Sequence, residues 1–218
     1  MGRVVLDIST SLDGFVAGPN PTLEQPLGEG GELLHEWLVK LKGWREPHGL
    51  DGGEEGLDSE RIAESLRSIG AFVMGRRMFS GGEGPWAADP NADSWFGDTP
   101  PFHVPVFVLT HHPRETEVKE GGTSFTFVTD GIESALEQAQ AAAGEKDVGL
   151  AGGASVAQQY LKAGLVDHVR IHVAPVLLGG GTPLLGDLGI DPVKVDVTAI
   201  ASPGVTHLEF DVPRAEAA

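Results

Sequence analysis

The sequence predicts an α/β fold: a mixed, mostly parallel sheet with helices on both faces, finished by a C-terminal antiparallel hairpin. Three observations predict it. Short apolar runs rich in β-branched residues alternate with stretches of helical periodicity along most of the 218 residues, the pattern of a sheet layered with helices. Two of those runs, at 71–74 and 148–151, pass through glycine directly towards a helix start. The last two runs, 193–200 and 205–212, are separated by the turn ASPG, which folds them back on each other.

Taken in order, residues 3–9 (RVVLDIS) form the first strand, and SLDGFVAGPN ends it in a loop that carries Asp13 and Gly14. Residues 20–56 are rich in Gly, Pro and Glu. Within them ELLHEWLVKLKGW sets Leu34, Trp37, Leu38 and Leu41 at helical spacing, a short helix whose apolar stripe reads as packing rather than as a ligand wall. Ser59 caps a helix that turns Ile62, Leu66 and Ile69 inward and stops at Gly70. AFVM, 71–74, is a buried strand that meets Gly75, Arg76 and Arg77. The loop 81–101 carries Trp86 and Trp95 and has the length of a functional rim. VPVFVLT, 104–110, is a strand with Pro105 near its start, where a missing N–H is tolerated.

A strand at 124–128 then leads to a helix over 132–143, closed by Gly144. Residues 147–165 read as a strand, the turn Gly152–Gly153, and an amphipathic helix with Val156, Tyr160 and Leu161 inward. Residues 166–178 alternate as one long strand, with Val169, Ile171 and Val173 on one face and His168, Arg170 and His172 on the other. Gly179, Gly180 and Gly181 make a flexible rim, and 213–218 a frayed tail. Neither a repeat nor a low-complexity linker marks a second domain, so 1–218 reads as a single domain.

Composition narrows the partners. With 32 acidic and 15 basic residues the net charge is −17, which repels nucleic acid and anionic membrane surfaces. The absence of cysteine removes disulfides, thiolate metal sites and cysteine nucleophiles. No apolar run approaches the roughly 20 residues of a membrane span, and the N-terminal apolar run is too short for a signal peptide; the expectation is a cytoplasmic protein. On so acidic a chain a phosphorylated ligand needs a local basic site, which makes the arginines the residues to locate.

Three strand ends carry such chemistry. At Gly152 and Gly153 no Cβ obstructs a ligand, and the N–H groups of Ala154, Ser155 and Val156 open a helix N-terminus with its partial positive charge; the alternative is a tight turn with Ser155 as cap. Arg76 or Arg77 can hold a phosphate with forked hydrogen bonds, or pair with one of the many acids. Thr110, His111, His112 and Arg114 bring a hydroxyl, two imidazoles and a guanidinium together, suited to a phosphomonoester, and Arg114 can stack on a flat ring. Adjacent histidines on a strand point to opposite faces, so no metal is expected there. Asp13 is the candidate for proton transfer or substrate hydrogen bonding; the alternative is an Asp-Gly turn without chemistry.

The stretches STSLDG, FVMGRRMF, PPFHVPVFVLTHHPRE and GLAGGASVAQQYLKAGLVDHVRIHVAPVLLGGGTPLL occur in that order. Together they resemble the dihydrofolate reductase fold superfamily, most closely the reductase half of the bifunctional riboflavin biosynthesis deaminase/reductase and its single-domain bacterial relatives. The resemblance implies a dihydrofolate reductase-like three-layer fold with NADPH bound across the carboxyl ends of the sheet. It implies that Gly75, Arg76 and Arg77 hold phosphates, and that Leu109, Thr110, His111 and Arg114 receive the adenosine end and its 2′-phosphate. Gly152, Gly153, Ala154, Ser155 and Val156 would cradle the pyrophosphate, with the glycine pair a site for a cis peptide.

The activity implied is an NADPH-dependent reductase, transferring hydride to a C=N or C=O of a small heterocyclic or sugar-like substrate, with Asp13 orienting that substrate or supplying a proton through water. A homodimer is implied as well. The chain lacks the deaminase domain and its zinc motif, and its 20–56 segment is long and tryptophan-bearing where the family varies, so the ribose-phosphate contacts of the riboflavin reductase do not carry over onto it. The alternatives are a non-catalytic dimer that binds NADP or flavin, and a dimeric scaffold.

Overall fold

In chain order the elements of the computed structural model are β1 (Val4–Thr10), β2 (Phe15–Ala17), α1 (Glu36–Val39), α2 (Lys42–Arg45), α3 (Leu57–Ser68), β3 (Ile69–Gly75), α4 (Arg76–Ser80), β4 (Pro105–Leu109), β5 (Glu117–Val118), β6 (Ser124–Val128), α5 (Ile132–Ala143), β7 (Asp147–Gly152), α6 (Ala154–Lys162), β8 (His168–Val173), β9 (Thr182–Pro183), β10 (Thr198–Ser202) and β11 (Val205–Asp211). The described residues are 2–82, 84–94, 96–186 and 188–213; Trp95 and positions 214–218 of the expected tail lie outside them. Nine strands form a mixed, mostly parallel sheet and β2 pairs separately with β9, the α/β class the sequence predicts. The chain groups into two compact units, Leu38–Gly149 with the N-terminal residues, and Arg3–Trp37 with Leu150 onward, so β7 is divided between them.

In the first unit the strands follow the order β3, β4, β6, β5. The first two pairings are parallel and β5 runs antiparallel to β6. Apolar β-branched and aromatic residues fill these strands because they are covered: Val73, Met74, Val106, Val108 and Phe125 are buried. Helix α5 turns Ala135, Leu136, Ala139 and Ala143 inward and packs on β3 and β4. It ends, as predicted, at Gly144, whose φ of 64° suits glycine. Phe79 meets Phe125 and Phe127 edge to face at 5.0 and 5.2 Å, the geometry their ring quadrupoles favour.

Two expectations at α3 are corrected. Ser59 does not cap the helix: Gly56 takes that position, and the Ser59 hydroxyl accepts the Gly43 N–H at 2.8 Å instead. That bond is made because α2 and α3 lie so close that a Cβ at Gly43 would sit 2.2 Å from the Ser59 carbonyl oxygen. Nor does Gly70 stop the helix. The helix ends at Ser68 and Gly70 already belongs to β3, where a Cβ would meet the Ala143 carbonyl oxygen at 2.8 Å; glycine is there to let α5 approach.

In the second unit the order is β10, β11, β8, β1, with β1 parallel to β8 and the closing hairpin antiparallel, as predicted. The hairpin turns at Gly204, φ 87°, and its first strand starts at Thr198 rather than at 193. The long strand expected over 166–178 is shorter, because after Val173 the chain tightens: the Val176 N–H donates back to the Ala174 carbonyl at 2.8 Å, across Pro175, which has no N–H for a ladder. The helical stripe near Trp37 is not one helix. A 3-10 turn, α1 and α2 share it, broken at Leu41, which is extended; Leu34, Trp37 and Leu41 are buried nonetheless.

The polar face expected on β8 is also covered in part. His172 is buried, with Trp37 packed on its ring at 5.0 Å. Its Nε2 lies 2.7 Å from Asp7 Oδ1 on β1 and its Nδ1 lies 2.7 Å from His207 Nδ1 on β11. Among the described residues no helix is long and apolar enough to cross a membrane.

Candidate functional site

The loop after β1 is fastened to the glycine-rich segment that follows β8. The Leu12 N–H donates to the Val176 carbonyl at 2.8 Å, and the Leu184 N–H to the Gly14 carbonyl at 3.0 Å. Asp13 completes the attachment: its carboxylate accepts the Leu178 N–H at 3.1 Å and the Gly179 N–H at 2.7 Å. A hydrogen bond with the Ser11 hydroxyl, the largest influence, outweighs desolvation and, with the bonds from Gly179 and Leu178, holds this exposed carboxyl below the ordinary aspartate range. An ionised carboxylate accepts hydrogen bonds and has no proton of its own to give.

In the same unit β7 delivers Gly152 and Gly153 to the start of α6. The peptide between them is cis, as the family resemblance implies. Gly152 has φ 115°, a conformation for glycine. Among the described residues a Cβ placed at Gly153 would meet nothing within 4 Å, which leaves the backbone open to a ligand. Gly153 is the N-cap and makes no side-chain capping bond; the Ser155 hydroxyl accepts from Gln159 Nε2 at 3.2 Å and is not the cap. The Val156 N–H is turned into the helix, donating to the Gly153 carbonyl at 3.0 Å. The N–H groups of Ala154 and Ser155 have no hydrogen-bond partner among the described residues. Farther along α6, Gln158 Nε2 donates to the carbonyls of Pro183 and Leu184 at 2.9 and 3.2 Å. Through Leu184 and Gly14 this helix and the Asp13 loop are therefore tied to the same segment.

The other predicted strand ends lie in the first unit, where β3 and β4 run parallel with Gly75 opposite Leu109. Residues 75–77 and 109–114 are thereby neighbours. Arg76 starts α4, buried, with its guanidinium on the Asp89 carboxylate and 3.5 Å from the Trp86 ring centroid. Ser80 Oγ donates to Asp89 Oδ2 at 2.7 Å and the Asn91 N–H to Oδ1 at 2.9 Å. Burial pushes the Asp89 carboxyl upward, but the hydrogen bonds from Ser80, Asn91 and Arg76, with the Arg76 charge, bring it below its ordinary value.

Arg77 is exposed in the first turn of α4, and His111 is exposed beyond β4. Thr110 is buried and its Oγ1 accepts the His112 N–H at 3.1 Å, which shapes the turn. Arg114 lies 4.7 Å from the Trp86 centroid and 5.3 Å from that of Phe127; it donates to the Ala92 carbonyl and pairs with Glu117 and Asp93. Trp86 Nε1 donates to the His112 carbonyl at 2.9 Å. Trp86 belongs to the loop read from sequence as a rim, whereas Asp89 and Asp93 are the residues that pattern alone leaves anonymous there. The dense run WAADPNAD is their signal, a turn-rich acidic segment on a chain whose few arginines lie elsewhere in sequence.

The model of the RibD C-terminal domain matches residues 3–205. The chain belongs to the RibD C-terminal domain family. Among curated relatives of this RibD-type chain is YyaP of Bacillus subtilis, 27% identical over 193 residues, 85% of this chain and 81% of YyaP. A solved structure from Shewanella sp. PV-4, assigned to riboflavin biosynthesis, shares 24% identity and covers 96% of this chain and 98% of its own, with a TM-score of 0.58. The diaminohydroxyphosphoribosylaminopyrimidine deaminase/5-amino-6-(5-phosphoribosylamino)uracil reductase of Thermotoga maritima is 15% identical, with a TM-score of 0.54; the alignment covers 96% of this chain and 56% of that one. These likenesses establish the dihydrofolate reductase-like fold of RibD reductases. A RibD-type dinucleotide fits the donors present: the open backbone at Gly153 and the unpartnered amides of Ala154 and Ser155 suit an anionic pyrophosphate.

Proposed function

We propose that the protein is an NADPH-dependent reductase that reduces a C=N or C=O in a small heterocyclic or sugar-like substrate and works as a cytoplasmic homodimer. The observation that carries the reading is the glycine-lined start of α6, with room for a ligand beside Gly153, in a chain of the RibD C-terminal domain family. On this reading the amides of Ala154 and Ser155 hold the pyrophosphate, beside Gly152, Gly153 and Val156. Arg77, His111 and Arg114 receive the adenosine end and its 2′-phosphate, while Gly75, Arg76, Leu109 and Thr110 shape that end. The bound nicotinamide supplies the hydride.

The chain's own residues position. Asp13, ionised and fixed by two backbone amides, accepts an N–H or O–H of the substrate and so sets the orientation of the group to be reduced. The proton that completes the reduction comes from water. The Thermotoga relative's name makes an aminouracil ribosyl phosphate the first substrate to try.

Isothermal titration with NADPH, NADH and FMN, followed by NADPH oxidation at 340 nm across a panel of C=N and C=O compounds, tests the proposal. Binding of NADPH with turnover of at least one compound supports it. Failure to bind NADPH, or FMN binding in its place, refutes it; NADPH binding with no turnover across the panel favours a non-catalytic nucleotide-binding dimer.

A further inference from the structure

The two arginines placed near the adenosine end are neutralised by one short strap of the 81–101 loop, and the strap holds them unequally. On Arg76 the carboxylate is locked: Asp89 has a side-chain exposure of 2% and also takes the Ser80 hydroxyl and the Asn91 amide. Trp86 is fastened too, against the guanidiniums of Arg76 and Arg114 and through its indole N–H to the His112 carbonyl.

Arg114 differs. One carboxylate on it, Glu117, comes from its own segment and is shared with Lys119 at 3.5 Å. The other, Asp93, comes from the strap, reaches Arg114 at 3.4 Å and is 97% exposed. An ion pair of that length and exposure is weak and easily exchanged. A phosphomonoester carries a charge of about −1.5 to −2 and three strong acceptor oxygens, and it competes for a guanidinium better than one loosely held carboxylate does.

We infer that Asp93 is a specificity-determining residue: a displaceable carboxylate on Arg114 that competes with the 2′-phosphate of NADPH and thereby limits the preference for NADPH over NADH. The inference rests on the reading of this chain as a nicotinamide dinucleotide enzyme. NADH offers a ribose hydroxyl there and gains nothing when the carboxylate leaves. Asp93 thus lowers phosphate affinity without touching the hydride chemistry.

The test is isothermal titration of the full chain with NADPH, NADH and adenosine 2′,5′-bisphosphate, comparing wild type, Asp93→Asn and the control Glu145→Gln. Glu145 is exposed, and its substitution makes the same change in net charge. Asp93→Asn should tighten NADPH and the bisphosphate by about two- to fivefold, the range open to an exposed ion pair, and leave NADH and the control unchanged. Asp93→Lys should widen the NADPH to NADH ratio further. Ligand-induced change in Trp86 emission, assigned by its loss in Trp86→Phe, supplies a second readout. An unchanged ratio in Asp93→Asn, or weaker NADPH binding, overturns the inference and leaves the reductase reading standing. If wild type binds neither dinucleotide, that reading fails and the role of Asp93 falls with it.

Discussion

Replacing Asp89 with alanine tests whether the strap is held by a buried ion pair or merely decorated by one. The substitution takes the acceptor from three donors at once, the Arg76 guanidinium, the Ser80 hydroxyl and the Asn91 amide. It strands a guanidinium whose side chain is 7% exposed and whose Nε and Nη1 have no partner among the described residues. Breaking a buried pair from one side costs about 3–5 kcal/mol, because the remaining charge is left in a poor solvent for it. For a chain of this length each kcal/mol moves the midpoint by roughly 2–4 °C, so Tm should fall by about 6–20 °C. Ser80→Ala removes one hydrogen bond and should cost about 1 kcal/mol.

The double substitution Arg76→Met with Asp89→Leu removes both charges and should recover most of the loss. Urea unfolding followed by both tryptophan fluorescence and circular dichroism gives the energies, and coincidence of the two curves establishes that one free energy describes the transition. The pH dependence follows from the sign of the shift. Because the folded carboxyl lies below its ordinary value of 3.8, its contribution is full above that value and is lost as pH falls through the lower, folded one. The wild type and Asp89→Ala should therefore converge in strong acid. An Asp89→Ala protein within about 1 kcal/mol of wild type at neutral pH, or a double variant no more stable than the single one, would refute the ion-pair argument.

Four further outcomes follow from the structure. Asp13→Asn keeps the size but presents an amide N–H to backbone donors, so kcat should drop by about tenfold or more while the Kd for NADPH stays within about twofold; equal loss in both would remove the positioning role. In NMR titrations the amide signals of Leu178 and Gly179 should hold steady from neutral pH downward and move only below the usual aspartate range, because the depressed Asp13 carboxyl keeps its charge until then; movement nearer pH 5 would contradict the anchor. Gly153→Ala adds a methyl group where no atom of the described residues lies within 4 Å, and should block dinucleotide binding in titration without altering the urea midpoint. Gly149→Ala places its Cβ 2.6 Å from the Phe72 ring, and unfolding should show a loss of about 1–3 kcal/mol from overpacking.

What could be read from sequence was local. Helix α5 and its Gly144 stop, the strand at 71–74 and the glycine turn before α6 each declare themselves within a dozen residues, through periodicity and through residues with special backbone freedom. The hairpin around Gly204 does the same. What could not be read depended on partners far along the chain. Asp13 meets amides 165 and 166 positions away, and no pattern near an Asp-Gly dipeptide specifies that. Ser59 has the residue type of a cap, yet the close approach of Gly43 gave its hydroxyl a different donor. Arg76 read either as a phosphate ligand or as the partner of one of the many acids; which acid, Asp89, lies thirteen residues on, in a loop with no periodicity. The alternation over 166–178 was genuine, but Pro175 outweighed it, and His172 on the expected polar side is covered because Trp37 arrives from a segment more than a hundred positions earlier.

That covered histidine carries one more implication. Two imidazoles that meet nitrogen to nitrogen cannot both donate, and a carboxylate can only accept. With both rings neutral, Asp7 obliges His172 to carry its hydrogen on Nε2, which leaves Nδ1 bare and requires His207 to carry its own on Nδ1. A single acid on β1 thus dictates the tautomer of a ring two strands away, and exchanging Asp7 for a group that donates would reverse the direction of every bond in the row.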